Sequence, residues 1–292
     1  MKHTVEIHDD LNQPSVMIKV ERFLLSDVLH DAPDILHPAF IVDGKEKDAI
    51  YISKYQNVIC QDRAYSLKNQ DPRVFVTIDE ARASCKKKGP GWHLMTNAEW
   101  AAVALLAQFN NTLPHGNNHF GADINNPSET GVLSNGQACP SEGNPYRVLT
   151  GSGPVSWSHD GTEDGIYDMH GNVWEYVDGL YAKDALVFAR ELNRPVDFNL
   201  TDAIENDLLL SSFSKLNYKD ENTLILKALA LYPDERSNSD HEIWIKTAGT
   251  QNAIRGGYWV NGKGSGMFAL GLGLAPEENY FDVGFRCVYC EE

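Results

Sequence analysis

The chain has no long apolar run. Nowhere among its 292 residues do about 18 or more apolar residues follow one another, the length a membrane-spanning helix needs. Its opening residues, MKHTVEIHDDLNQP, lack the apolar stretch of a secretory signal, so export by a leader of its own is not expected. Cysteine is sparse and odd in number, with five residues: Cys60, Cys85, Cys139, Cys287 and Cys290. That set is not a disulfide framework, and the CxxC of Cys287 and Cys290 has no second pair to complete a four-thiolate zinc site. The alternation in GFRCVYC reads as a strand with those two thiols on opposite faces. Positive charge is also short. Lys and Arg total 25 against 41 Asp and Glu, for a formal charge of -16, and the longest basic run is Lys86, Lys87, Lys88. This argues against a broad phosphate-contacting surface and against attraction to anionic membranes. A GxSxG nucleophile elbow, a phosphate-binding loop and a dinucleotide fingerprint are all missing.

What is present is a folded composition. Hydrophobic residues make up 42% and charged residues 23%, and a chain this long can bury a full core. Residues 1–38 read as an N-terminal arm or small subdomain, with a strand from Val16 to Val20. AIYISKYQNVICQDRAYS alternates as two short strands. Thr77 or Asp79 can cap a helix through about Lys87, which Gly89-Pro90-Gly91 ends. Thr96 followed by Glu99 is a capping box, and it predicts a second helix with Trp100, Val103, Leu106 and Ala107 as its core stripe. From Asn110 to Trp157 the chain is rich in Gly, Asn, Pro and Ser and reads as long ordered loops. Residues from about 181 to 244, rich in Leu and acids, read as an insert between two glycine- and tryptophan-rich sections.

Two stretches invite a metal and fall short. His115, His119 and Asp123 have helical ligand spacing, but Pro114, Gly116 and Gly121 break a helix there. DGTEDG, from Asp160, resembles part of a calcium loop, but its twelfth position is Gly171 where an EF-hand needs Glu. Turn formation is the simpler reading. No metal and no cofactor is expected.

Three motifs carry a family resemblance: GWHLMTNAEWAAVA (Gly91 to Ala104), DGIYDMHGNVWEYVDG (Asp164 to Gly179) and IRGGYWVNGKGSGMFALGLGLAPEENYFDVGFRC (Ile254 to Cys287). In this order they resemble the formylglycine-generating-enzyme-like (sulfatase-modifying factor) branch of the C-type lectin fold. The resemblance is closest to retroelement-diversified variable proteins, phage tropism determinants among them. It implies an α+β domain at residues 39–292, with two helices around small antiparallel sheets and long ordered loops. It places GNVWE, RGG and GFR in the scaffold, with Trp174, Trp259, Phe268 and Phe285 in the core. Arg286 would tie loops together through carbonyls or an acid. The family's enzymes carry a reactive cysteine pair after RGG. Here that section has no cysteine, so the resemblance implies no catalysis.

In the diversified proteins the C-terminal section displays exchangeable residues on a fixed scaffold. The display region would be about 255–287. The implied ligand-binding positions are Tyr258, Val260, Gly264, Gly271, Gly273, Leu274, Asn279, Tyr280, Phe281 and Asp282, all of types reachable from adenine-mutated AAY codons. The residues support display on their own. In MFALGLGLA, Phe268, Leu270 and Leu272 alternate with Ala269, Gly271 and Gly273, so one face can anchor the strand while the other is almost bare. Tyr258, Tyr280 and Phe281 would wall that bare floor, and tyrosine suits protein recognition because it offers much contact area for few frozen torsions. The expected function is noncovalent recognition of a protein or glycan on a host or partner surface, at a phage tail tip assembled in the host cytoplasm. The alternatives are a bacterial or prophage binding protein outside virions and a formylglycine-generating-type oxidase. Homo-oligomer or particle assembly is compatible with either binding role.

Overall fold

Two threonines start the two long helices. Thr77 accepts a hydrogen bond from the Glu80 amide, and the Glu80 carboxylate takes the Thr77 amide in return, opening α1 (Ile78–Lys86). Thr96 and Glu99 do the same for α2 (Asn97–Phe109), at 3.2 Å and 2.7 Å. The apolar positions of α2 form more than a stripe. Alanines at 98, 101, 102, 104 and 107 let neighbours approach from several sides, so nearly the whole helix is buried, while Leu106 is only half-buried. Trp100 is fully buried, and its indole N–H donates to the Met267 carbonyl at 2.7 Å.

The computed structural model describes residues 4–134, 146–198, 200, 204–205, 207–216 and 223–291, which leaves Cys139 outside the described residues. The strands of the first half are β1 (Thr4–His8), β2 (Pro14–Glu21), β3 (Ile41–Val42), β4 (Lys45–Glu46), β5 (Ala49–Ser53), β6 (Asn57–Cys60), β7 (Arg63–Ser66) and β8 (Trp92–Leu94). Those of the second half are β9 (Trp174–Lys183), β10 (Leu186–Ala189), β11 (Ile204–Glu205), β12 (Leu208–Ser212) and β13 (Glu242–Lys246). They continue with β14 (Thr250–Gly256), β15 (Gly266–Leu274), β16 (Val283–Phe285) and β17 (Cys287–Tyr289). A short helix, α3 (Thr223–Ala228), lies between β12 and β13.

One sheet runs β1-β2-β5-β17-β8 and is antiparallel throughout. The N-terminal residues are thus part of a sheet that the C-terminal strand completes. The other sheet runs β10-β9-β14-β15-β13-β12-β11, with β16 beside β9. It is larger than expected, and mixed. β13 lies parallel to β15, and β16 parallel to β9, while the other pairings of this sheet are antiparallel as expected. The extra size comes from the segment after β9. It supplies β10 to β13 and α3, and its Phe213, Leu226, Ile243 and Ile245 join Phe268, Leu270 and Leu272 in one buried cluster. Phe213 stacks on Phe268 with centroids 4.5 Å apart.

Two buried arginines lock the layers. Arg286 makes a paired contact with Glu175, both bonds at 2.5 Å, and donates to the carbonyls of Ser53 and Tyr167. Both side chains are essentially inaccessible. Among the described residues, Arg255 meets no carboxylate. It donates to Asn97 Oδ1 and to the carbonyls of Leu229, Ala230 and Phe268, and burial pushes its guanidinium down to about 9. Because Leu229 and Ala230 directly follow α3, Arg255 fastens the segment between β9 and β14 to the rest of the fold. Gly257 follows at φ 81°, where a side chain would run into Ser265. Trp174, Trp259, Phe268 and Phe285 are all buried. Cys287 and Cys290 fall in different hydrophobic clusters, as opposite faces require.

Candidate functional site

The chain from Tyr258 to Asp282 is a strand, β15, between two loops whose backbones are tied down. In the first loop Asn261 Oδ1 accepts from the Tyr258 amide at 2.9 Å, and Ser265 Oγ donates to the Tyr258 carbonyl. In the second, Glu278 Oε2 accepts from the Ala275 amide at 2.8 Å. The carbonyl of Tyr280 accepts from the Phe75 amide, and that of Asp282 from the Trp174 amide. At Tyr258, Ala275, Tyr280 and Asp282 the tie is made through main-chain groups, so the side chains of these residues are not what anchors the loops, whereas Asn261, Ser265 and Glu278 anchor them through their side chains.

The bare face of β15 is not open. Trp244 of β13 stands opposite Gly271 in the parallel register, and its indole lies across both glycines. A side chain built at Gly271 would come within 2.7 Å of Trp244 Cζ2, and one at Gly273 would overlap Trp244 Cζ3. Gly271, Gly273 and Leu274 are buried. The expected glycine floor for a ligand is therefore a seat for a tryptophan of the same chain, and these three positions leave the contact surface. The glycines are small because the neighbouring strand places its largest side chain over them.

The other expected positions reach the surface. Asn279 and Tyr280 are exposed, Tyr280 at 37%. Tyr258, Val260, Gly264, Phe281 and Asp282 are half-buried. A Cβ at Gly264 would lie 3.0 Å from Glu242 Oε2 of β13. Phe281 packs 5.7 Å from buried Trp259 and 6.4 Å from Tyr258, and Tyr258 sits edge-on to Trp259 at 5.2 Å. Tyr280 donates its hydroxyl to Glu278. Burial, then this carboxylate, raise its pKa, so it stays a neutral phenol and a hydrogen-bond donor.

The structure adds aromatics that the sequence pattern had not singled out. Phe75 and Tyr146 join Tyr258, Val260 and Phe281 around Val74, Val173 and Trp259. Phe120 packs edge-on to Tyr146 at 5.0 Å, stays 48% exposed, and donates its backbone N–H to the Trp259 carbonyl. The result is one apolar face built from the long loops and the C-terminal segment. In it Phe120 is exposed and Phe75, Tyr146, Tyr258 and Phe281 are half-buried. Phe75 and Phe120 both adopt left-handed backbone, at φ 52° and 51°. Bulky residues there are strained by about 1–3 kcal/mol, and such strain concentrates at functional surfaces. The only signal in the sequence was Phe120-Gly121 inside a long loop.

This leads to an expected result. Phe120→Gly will change unfolding free energy by less than about 1 kcal/mol, because relief of strain offsets the added chain entropy. It will weaken partner binding by about tenfold or more, as loss of an interface aromatic does. Denaturant unfolding beside a binding titration checks both, and a stability loss above about 3 kcal/mol would place Phe120 in the core instead.

The other sequence candidates resolve as turns. His115 Nδ1 pairs with Glu129 at 2.9 Å, and Asp123 Oδ1 accepts from the amides of Asn125 and Asn126. Asp160 accepts from the Thr162 amide and hydroxyl, and Thr4 donates to Asp164.

A family model described as "Sulfatase-modifying factor enzyme 1-like domain" matches residues 40–290. The chain belongs to this family. The sulfatase-modifying-factor match takes in α1, α2 and α3, the whole of the larger sheet and three strands of the other, β5, β8 and β17, and begins after β1 and β2. Solved structures similar to it include PvdO from Pseudomonas aeruginosa, 16% identical over the full length of both chains with a TM-score of 0.42. Treponema denticola variable protein 1 is 14% identical over 99% of each chain, with a TM-score of 0.39. The Major Tropism Determinant U1 variant is 11% identical over 94% of this chain and 63% of that chain, with a TM-score of 0.36. Among curated proteins, no sequence matches significantly. No helix among the described residues is long and apolar enough to cross a membrane.

Proposed function

We propose that this chain is a noncovalent recognition protein, and that the aromatic face around Tyr258, Phe281, Tyr280 and Phe120 is its contact surface. One observation carries the reading. The backbone of the C-terminal segment is hydrogen-bonded into the scaffold, while its aromatic side chains meet those of the long loops at the surface. Val260, Gly264, Asn279 and Asp282 surround them and set specificity, with Trp244 and Glu242 at the β13 side. The ligand class we favour is a protein surface with apolar side chains, because rigid aromatics backed by packed neighbours bind such groups with little entropy loss. A glycan is the other ligand on the same face. The finer placement is a phage tail tip meeting a host surface.

The experiment is a paired screen of surface proteins and glycans, with the full chain and a Tyr280→Ser, Phe281→Ser variant as baits. The reading expects a protein ligand held by the wild type and weakened by about 100-fold or more in the folded variant. Equal capture by both would overturn it. Tail genes beside its gene support the virion placement, and a bacterial operon without them removes it. Family membership favours a second reading, oxidation of a peptide thiol. Turnover in a thiol-peptide assay, with or without copper, would replace recognition as the function.

A further inference from the structure

Outside the aromatic face, three elements bring a histidine, a carboxylate and a thiol together. His93 comes from β8, Glu99 from the first turn of α2, and Cys290 directly follows β17. Their donor atoms all lie within 4.8 Å of one another. The sheet register makes this meeting. His93 pairs with Val288, and Cys290 shares the face of Val288, so imidazole and thiol project to the same side. The Cys290 amide bonds to the Gly91 carbonyl at 3.0 Å, which fixes the strand end.

The donors are oriented as ligands. One ring nitrogen of His93, Nδ1, faces the Gly91 carbonyl at 3.2 Å, which turns Nε2 toward Glu99 Oε1 at 2.8 Å. A metal-bound histidine is held in this way, its second N–H given to a backbone carbonyl. Glu99 divides its oxygens. Oε2 is spent on the Thr96 cap, and Oε1 is turned to the histidine. Glu99 and Cys290 are 2% and 3% exposed, so the donors are mostly shielded from bulk water. They line a cleft of about 590 Å³ whose rim carries Asp43 and Asp178 against Lys45 and Arg190.

We propose that His93 Nε2, Glu99 Oε1 and Cys290 Sγ bind one zinc ion, with the fourth tetrahedral position open to the cleft. The donor set suits this ion. Imidazole, carboxylate and thiolate are its usual ligands, and one carboxylate with one thiolate cancels its charge. Three protein ligands with an open fourth position allow a water or a small anionic ligand to exchange at the metal. The proposal is independent of what the aromatic face binds.

Cobalt titration of the chelator-treated full chain tests it, in a Cys60→Ser, Cys139→Ser background that removes exposed Cys60 and untested Cys139 as competing thiols. The expected result is one cobalt per chain, a near-ultraviolet thiolate-to-cobalt band, and displacement by one equivalent of zinc. Cys290→Ser will abolish the band. His93→Gln will lower zinc affinity, read by competition with a chromogenic chelator, by at least about tenfold. If Cys290→Ser does not fold, the His93→Gln titration decides alone. No band at one equivalent, a band that survives Cys290→Ser in folded protein, or unchanged zinc affinity in His93→Gln overturns the site.

Discussion

Gly273→Val will destabilise the domain by about 3 kcal/mol, and Trp244→Ala in the same chain will recover much of that loss. The reason is steric. A Cβ at Gly273 overlaps Trp244 Cζ3 and also lies 2.9 Å from Cε3, and the other edge of the ring stands over Gly271. Overfilling a packed site costs about 1–3 kcal/mol, and valine adds two further methyls beyond the Cβ. Trp244→Ala alone will cost about 2 kcal/mol, since the ring is half-buried and a full cavity would cost more. Urea unfolding of the two single variants and the double variant completes the cycle. A favourable coupling of about 2 kcal/mol or more is expected. If valine at 273 is silent, the position is exchangeable as the sequence pattern suggested, and the seating of Trp244 on these glycines is not the structural constraint described above.

The second large effect is at the scaffold. Arg286→Ala will cost about 3–5 kcal/mol, because it strands the Glu175 carboxylate in a site with 1% exposure. The Glu175 carboxylate would keep the Gln56 amide at 3.0 Å but lose its cation, and the carbonyls of Ser53 and Tyr167 would lose their donor. Removing both charges, as Arg286→Met with Glu175→Leu, will cost less than Arg286→Ala alone, since no buried charge is left unpaired. Guanidinium unfolding at neutral pH measures both. A single-variant loss below about 1 kcal/mol would mean the pair is solvated, as surface pairs are.

How far the sequence carries depends on the distance over which each feature is written. Thr77 with Glu80 and Thr96 with Glu99 act within one helical turn, so both helix starts can be read directly from the residues. Arg286 and the GNVWE glutamate could be placed in the scaffold only through the family resemblance, because their pairing joins β9 to the chain's last residues. The alternation in β15 was readable, and its inward face is where the pattern put it. What covers the outward face was not, because Trp244 reaches it through a parallel pairing of β13 with β15 that no local pattern encodes. Phe75 and Phe120 were missed for a related reason. Irregular loops have no period, and the left-handed backbone that turns these rings outward has no signature in a phenylalanine. The His93, Glu99 and Cys290 cluster joins the first half of the chain to its last residues, so no local spacing in the sequence announces it.

The most direct test of the central claim is the hydrogen-exchange footprint of a partner captured by the full chain. The account predicts slowed exchange at amides of residues 117–121, 258–264 and 279–282, and no change at residues 91–94 or in β17. Protection confined to the cleft of His93 and Cys290, with the aromatic loops unchanged, would contradict it.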